Sequence, residues 1–210
     1  MAFDFKKELR GLYCPKGSPE VVAVPRARYA AVRGRGDPNE EGGDYKRSIA
    51  VLYAVSYTLR MSSKAGHSIP GFFEYVVPPL EGFWHQEGAG GVAGGDKSSL
   101  RWISVMRLPD FVTEEEISWA KDAASKKKGI DCSSAELLAV DEGLCVQMMH
   151  LGPFEDEPAT IGRMEAFVAE NGYEDDSSES RLHHEIYLSD PRRVQPERWR
   201  TAIRLPIRKV

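Results

Sequence analysis

VVAVPRARYAAVRGRGDP, residues 21–38, and LLAVDEGLCVQMMHLGPF, residues 137–154, align without a gap at an offset of 116 (137 − 21). The alignment sets Ala23 on Ala139, Val24 on Val140 and Gly36 on Gly152. Each stretch is an apolar run broken once by turn-forming residues, Pro25-Arg26 in one and Glu142-Gly143 in the other, and each closes in Gly and Pro. That pattern predicts a strand or hairpin leading into a tight turn. Self-similarity at one fixed offset predicts two copies of one structural unit.

Working outward, the elements after each stretch recur in the same order. Tyr45, Ile49, Leu52, Tyr53, Ser56 and Leu59 share one face of a predicted helix, with Asp44 as its N-cap. In the second half Pro158 fits a first helical turn, Ile161, Met164 and Val168 share a face, and Asn171-Gly172 ends the helix. A strand is then predicted in GFFEYVVP (71–78) and in RLHHEIYLSDP (181–191). A last strand closes each half, with Arg107-Leu108-Pro109 matched by Arg204-Leu205-Pro206. Between the halves, Thr113 and Glu116 form a capping box for a helix striped by Ile117, Ala120 and Ala124. Residues 88–99 and 173–180 read as loops.

The expected class is therefore α+β: two pseudo-symmetric β-α-β-β repeats, with antiparallel sheets flanking a central ligand cleft. Residues 1–18 are an N-terminal extension to a domain over 19–210. Repeat one spans 19–110, a linking helix 113–128, and repeat two 134–210.

Composition narrows the function. With 41% hydrophobic and 29% charged residues the chain has the makeup of an ordinary globular protein. No apolar run reaches the roughly 20 residues of a membrane span, and the N-terminus lacks a signal-peptide pattern. Cys14, Cys132 and Cys145 form no CxxC pair, which reads as reduced thiols in a cytoplasmic protein. The net charge of −4, with the basic clusters at 126–128 and 192–193 set beside acids, argues against direct nucleic-acid binding.

Several motifs bear on chemistry. The Gly-rich segment ending Gly95-Asp96-Lys97-Ser98 has Asp where a phosphate loop needs Gly before Lys, so no nucleotide cofactor is expected. His183 and His184 are adjacent and point to opposite faces of a strand, while His67, His85 and His150 lie on separate elements. No metal site is expected. On RLHHEIYLSD the period of two sets Leu182, His184, Ile186 and Leu188 on one face and His183, Glu185 and Tyr187 on the other. Glu185 is either solvated there or lines a groove, where it would hold a cation or act with a raised pKa. Glu155, Asp156 and Glu157 open a helix, a position that suits acids by dipole alone. Glu81, Phe83, Trp84 and His85, with Trp102 across a hairpin, either fill the core or receive a flat ligand.

Taken with His150-Leu151-Gly152-Pro153-Phe154 and Glu157, with Pro79-Leu80-Glu81-Gly82-Phe83-Trp84, with His184-Glu185-Ile186-Tyr187-Leu188-Ser189-Asp190-Pro191 and with Thr201-Ala202-Ile203-Arg204-Leu205-Pro206, the chain resembles the GyrI-like small-molecule-binding proteins. The resemblance covers Pro19 to the C-terminus. It implies the fold of the effector domains of multidrug-sensing transcription activators, with Glu185 matching a buried glutamate that meets aromatic, cationic ligands. Some GyrI-like proteins are hydrolases that open cyclopropanoid cyclohexadienyl genotoxins with water. By that likeness Glu185 and Glu157 would be an acid/base pair, and Tyr75, Trp84, Trp102, Phe154 and Tyr187 would line the ligand, with Glu81, Glu74 and His150 left open as further lining. Position 154 is Phe where the family commonly has Tyr, so a hydroxyl role is absent. About twenty residues precede the first repeat, too few for a helix-turn-helix. A stand-alone binding module, a hydrolase and a protein-protein inhibitor of the gyrase-inhibitor kind are the functions implied.

Overall fold

The computed structural model describes residues 2–86 and 97–210. Two short helices, α1 (Phe5–Glu8) and α2 (Arg10–Tyr13), precede strands β1 (Glu20–Val24) and β2 (Ala27–Arg35), helix α3 (Asp44–Arg60), and strands β3 (Glu81–Gln86) and β4 (Leu100–Leu108). Helix α4 (Glu114–Lys128) leads to β5 (Glu136–Val140), β6 (Gly143–Leu151), α5 (Glu157–Glu170), β7 (Tyr173–Asp175), β8 (His183–Tyr187) and β9 (Arg200–Lys209).

The molecule is α+β, and its pairings between these strands are all antiparallel. The strands form one continuous nine-stranded sheet of order β1-β6-β9-β8-β3-β4-β2-β5, with β7 pairing β9. That order is a palindrome: exchanging β1 with β5, β6 with β2, β9 with β4 and β8 with β3 returns it. The 21–38 stretch is not a hairpin. Pro25 and Arg26 part its two strands, so β1 pairs with β6 and β2 with β5, each stretch completing the other's ladder. Gly36 and Gly152, matched at the offset of 116, both turn the chain at positive φ, +110° and +130°. Residues with a Cβ rarely adopt that conformation, which explains glycine at both ends.

Some local expectations change. Residues 71–78 do not join the sheet. Phe3 N donates to Glu74 O and Val76 N to Phe3 O, so this segment meets the N-terminus in a single parallel bridge. Pro78 and Pro79 lack the N–H groups a ladder needs, and the place beside β8 is taken by β3 instead. Asp44 is the first helical residue rather than the cap, with Gly43 outside it. Residues 173–175 form β7 rather than loop. Of the segment 88–99, residues 88–96 lie outside the described residues and Lys97–Ser99 make a 3-10 turn into β4.

Strand parity sorts the core into two faces. Helices α3 and α5 cover one face: Leu52, Val55 and Leu59 pack toward Met106 and Leu108, while Ile161, Met164 and Val168 pack on Val146, Met148, Ile203 and Ile207. Helix α4 lies against α3 through Ile117, Ala120 and Ala124, its start held by the predicted Thr113–Glu116 capping box. On the other face, Phe5, Tyr13 and Tyr75 pack on Ile186 and Ala202. Each fully buried Leu, Ile or Met contributes about 1.5–3 kcal/mol, so both faces are needed to hold the central strands. Cys14, Cys132 and Cys145 are free thiols. Among the described residues no helix is long and apolar enough to cross a membrane.

Candidate functional site

β8 runs through the centre of the sheet, and its alternation decides which residues meet. His183, Glu185 and Tyr187 face the α3/α5 layer, whereas His184 and Ile186 face the N-terminal helices. Both sets are largely buried because helices cover both faces. Glu185, 5% exposed, pairs across the ladder with Gly82 of β3. A Cβ at Gly82 would stand 2.7 Å from Trp84 Nε1 and 3.1 Å from Tyr187 Oη. The missing side chain therefore makes the room in which these two groups meet.

They form a chain of contacts that ends on Glu185. Trp84 Nε1 donates to Tyr187 Oη at 2.9 Å, and that hydroxyl donates to Glu185 Oε2 at 2.7 Å. His183 Nε2 stands 3.0 Å from Glu185 Oε1. Tyr45 of α3 packs against Trp84 with ring centres 5.4 Å apart and meets Trp102 edge-on at 5.2 Å. Burial raises the Tyr187 and Tyr45 hydroxyls, and the Glu185 and Glu157 charges raise them further, so both phenols stay protonated.

Glu157 approaches from the first turn of α5. It is 8% exposed, and its Oε1 has no hydrogen-bond partner among the described residues. A helix N-terminus favours an ionised carboxylate by about 0.3–1 kcal/mol at exposed positions. Burial and then the Glu185 carboxylate outweigh this and the opposing Thr201 hydrogen bond, pushing Glu157 up to about 10. The pair is thus polarised: Glu157 keeps its proton, while Glu185 beside it accepts the Tyr187 hydroxyl. Two neighbouring carboxyls in different surroundings are a recurrent way to hold an acid beside a base.

Of the residues singled out from sequence, the structure brings Glu185, Glu157, Trp84 and Tyr187 together, with Trp102 one ring further out beyond Tyr45. Phe154 meets Tyr187 edge-on at 5.7 Å and leans on Trp199 at 4.9 Å. Tyr75 lies elsewhere, on the opposite face beside Phe111 and Phe73. Glu74 pairs with Arg60 at 3.4 Å. The His150 ring meets Thr160 Oγ1 at 2.8 Å and Pro153 O at 3.0 Å, tying α5 to the turn before it. Tyr45, Trp199 and Thr201 were not named as site residues, and His183 was weighed only as a metal ligand. Gly82 inside a strand was the available signal, since such a glycine marks a close approach.

Glu81 belongs to a second cluster on the far face of β8. His184 lies between two carboxylates, Nε2 at 3.0 Å from Glu81 Oε2 and Nδ1 at 2.9 Å from Glu142 Oε2. Arg204 reaches Glu142 at 3.1 Å and donates to Leu12 O, and Tyr13 Oη donates to Glu81 Oε1 at 2.8 Å. Glu142 is held down to about 2: burial opposes its charge, but His184 and Arg204 overcome that. His184 is raised by Glu142 and Glu81 against its own burial. Two acids and two bases balance here, and the cluster fastens the N-terminal helices to the sheet. No group of three or more His, Cys, Asp or Glu residues among those described could hold a metal ion.

Beside the Glu185 site a cavity of about 580 Å³ opens between α5, β7 and β8, with Trp84 and His183 in its wall.

The model of the GyrI-like small molecule binding domain matches residues 18–208. The chain belongs to the GyrI-like family. Two crystal structures from Listeria innocua described as hydrolases are 42% and 44% identical to it, with TM-scores of 0.89 and 0.90. They cover 98% and 99% of this chain and 100% of their own. The EcmrR C-terminal domain shares the fold at 14% identity and a TM-score of 0.59, over 92% of this chain and 98% of that one. None of the curated proteins matches.

Proposed function

We propose that this GyrI-like protein binds flat, electrophilic small molecules beside Trp84 and Tyr187 and adds water to them, with Glu185 as general base and Glu157 as general acid. The two halves are read as two copies of one unit, and the site falls where β8 of one meets β3 of the other. The observation that carries the proposal is the polarised pair, a buried glutamate that keeps its proton beside one that accepts the Tyr187 hydroxyl. A pure cation receptor gains nothing from a carboxyl group held protonated at neutral pH, whereas an acid/base pair requires one. The likeness to two Listeria proteins described as hydrolases points the same way.

For a cyclopropanoid cyclohexadienone the step balances as follows. Glu185 takes a proton from water as the water oxygen bonds to a cyclopropane carbon. The bond from that carbon to the ring breaks, and its electron pair enters the conjugated system. The former carbonyl oxygen takes the Glu157 proton as the ring becomes a phenol. Bulk water then returns the Glu185 proton to Glu157.

Incubation with such an alkylator, followed by mass spectrometry of the ring-opened phenol, tests this. Removing a general base costs about 10²–10⁴-fold, and Glu185→Gln is expected to lose at least the lower figure. A wild-type protein that forms no product overturns the hydrolase reading, and full turnover in Glu185→Gln removes Glu185 from its role.

A further inference from the structure

Helix α5 begins without a side-chain cap among the described residues: Asp156 stands in the cap position and bonds no first-turn N–H through its carboxylate. Such a turn leaves N–H groups unmet and is prone to fray. Yet Glu157, the first residue of this helix, is buried and keeps its proton. Something outside the helix must hold that turn down, and strand β6 supplies it. His150, 2% exposed, lies across the ladder from Thr201 of β9, and Thr201 lies across from Tyr187 of β8. Directly opposed residues share one face of a sheet, so the three form a polar row beneath the start of α5. Thr201 bonds Glu157, Tyr187 donates to Glu185, and His150 takes hold of the helix itself.

The His150 ring spans two segments. Its Nε2 is 3.0 Å from Pro153 O, in the turn before α5, and its Nδ1 is 2.8 Å from Thr160 Oγ1, near the start of α5. A carbonyl oxygen only accepts, so Nε2 donates to it. The Thr160 hydroxyl donates or accepts as Nδ1 requires, so the clamp closes in either state of the ring. Residues 157 and 160 stand at i and i+3 and are neighbours on the helix surface. We propose that His150 is the positioning residue for Glu157: by clamping the turn and the helix to β6, it keeps the acid's carboxyl group buried beside Glu185. The titratable groups facing Glu157 are Glu185 and Tyr187 of β8, Tyr45 of α3, and Glu155 of the turn before α5. Released from the clamp, Glu157 gains water and loses part of the desolvation that holds its proton, so it ionises at lower pH. The inference deepens the proposed function and rests on its reading of Glu157 as the acid.

Carbon-13 NMR of the full chain, labelled at the glutamate carboxyl carbons, reads this directly, the Glu157 signal being the one absent from Glu157→Gln. Titrated from pH 5.5 to 9.5, the wild-type signal is expected to hold its protonated position until the top of that range. In His150→Phe the midpoint should fall by about three pH units, roughly a thousandfold in proton affinity. Thr160→Val keeps the shape and the bond from His150 to Pro153, and should lower the midpoint by about one unit. His150→Gln retains a donor for Pro153 O and should lie between wild type and His150→Phe. Ring opening by His150→Phe, per folded molecule and relative to wild type, should drop about tenfold per pH unit above its new midpoint. A purely structural loss would lower that ratio evenly across the range. A midpoint unmoved in His150→Phe and Thr160→Val overturns the inference, and Thr160→Val alone decides if His150→Phe does not fold. So does a midpoint in His150→Gln as low as in His150→Phe. A wild-type signal already ionised at pH 7 overturns both this inference and the acid/base division. A midpoint that follows His150 in a protein that opens no cyclopropane keeps the clamp and sinks the hydrolase reading. Ring opening with a midpoint indifferent to His150 does the reverse.

Discussion

Replacing Glu157 by Gln should make the protein more stable at neutral pH, by an amount the structure allows one to work out. Glu157 is raised to about 10 in the folded chain, against an ordinary value of 4.5. Unfolded, it releases its proton above that ordinary value, while folded it keeps it to far higher pH. The folded state therefore binds more protons than the unfolded state between these limits, and stability falls as pH rises through them. Each pH unit costs about 1.4 kcal/mol, so at pH 7 the loss from this one group is roughly 3.4 kcal/mol relative to a pH well below 4.5. The figure does not depend on the upper value, provided that value lies well above 7. Glutamine has the same shape, can still accept from Thr201 and does not titrate. Urea unfolding of both proteins from pH 5.5 to 7.5 should show the variant gaining on the wild type by about 2.7 kcal/mol across the range. Curves that keep a constant separation would mean that Glu157 is ionised when folded, and the acid/base division of the pair would be wrong.

Two further substitutions probe the parts that hold the site. Arg204→Met leaves Glu142 buried with only His184 opposite. It should cost about 3–5 kcal/mol, read from the urea midpoint, and adding Glu142→Gln should recover part of that. Gly82→Ala places a methyl group 2.7 Å from Trp84 Nε1 and should cost about 1–3 kcal/mol while also lowering ring opening. Gly34→Ala drives a methyl group into the Trp102 ring, which packs on Tyr45 at the outer end of the aromatic cluster, and should cost stability with a smaller loss of ring opening. Equal loss of specific activity in both glycine variants would show that the space over Gly82 has no particular role.

Much of the fold was legible because strand parity and turn chemistry are local. The period of two on 181–191 put Glu185 and Tyr187 on one face and His184 on the other before any tertiary contact was known, and the Thr113–Glu116 box fixed the start of α4. What local reading missed was partnership. An apolar run such as 71–78 has strand-like residues but no way to announce that two prolines bar it from the ladder and that Phe3 will claim its backbone. The 21–38 stretch looks like a hairpin, since nothing in it reveals that the partner of each strand lies in the other half. The site followed the same rule. Glu185, Trp84 and Tyr187 were visible from pattern and resemblance, but Tyr45, Trp199 and Thr201 come from separate elements and meet only when the sheet closes. His183 was set aside because two adjacent histidines cannot share a metal, which is true and leaves other roles open.

The contrast between neighbours 184 and 185 bears most on function. On one side of β8, His184 lies in a cluster whose two acids and two bases cancel, so its burial holds the N-terminal helices down without leaving charge uncompensated. On the other side, less than one strand width away, Glu185 lies beside a second carboxyl group, and among the described residues no arginine or lysine forms an ion pair with either. A chain selected for stability alone would have supplied that cation or replaced Glu157. That it carries a balanced cluster on the opposite face of the same strand shows that the fold can accommodate compensation there. An uncompensated pair, kept under aromatic walls at a cost of several kcal/mol, is the arrangement expected where charge must move during turnover.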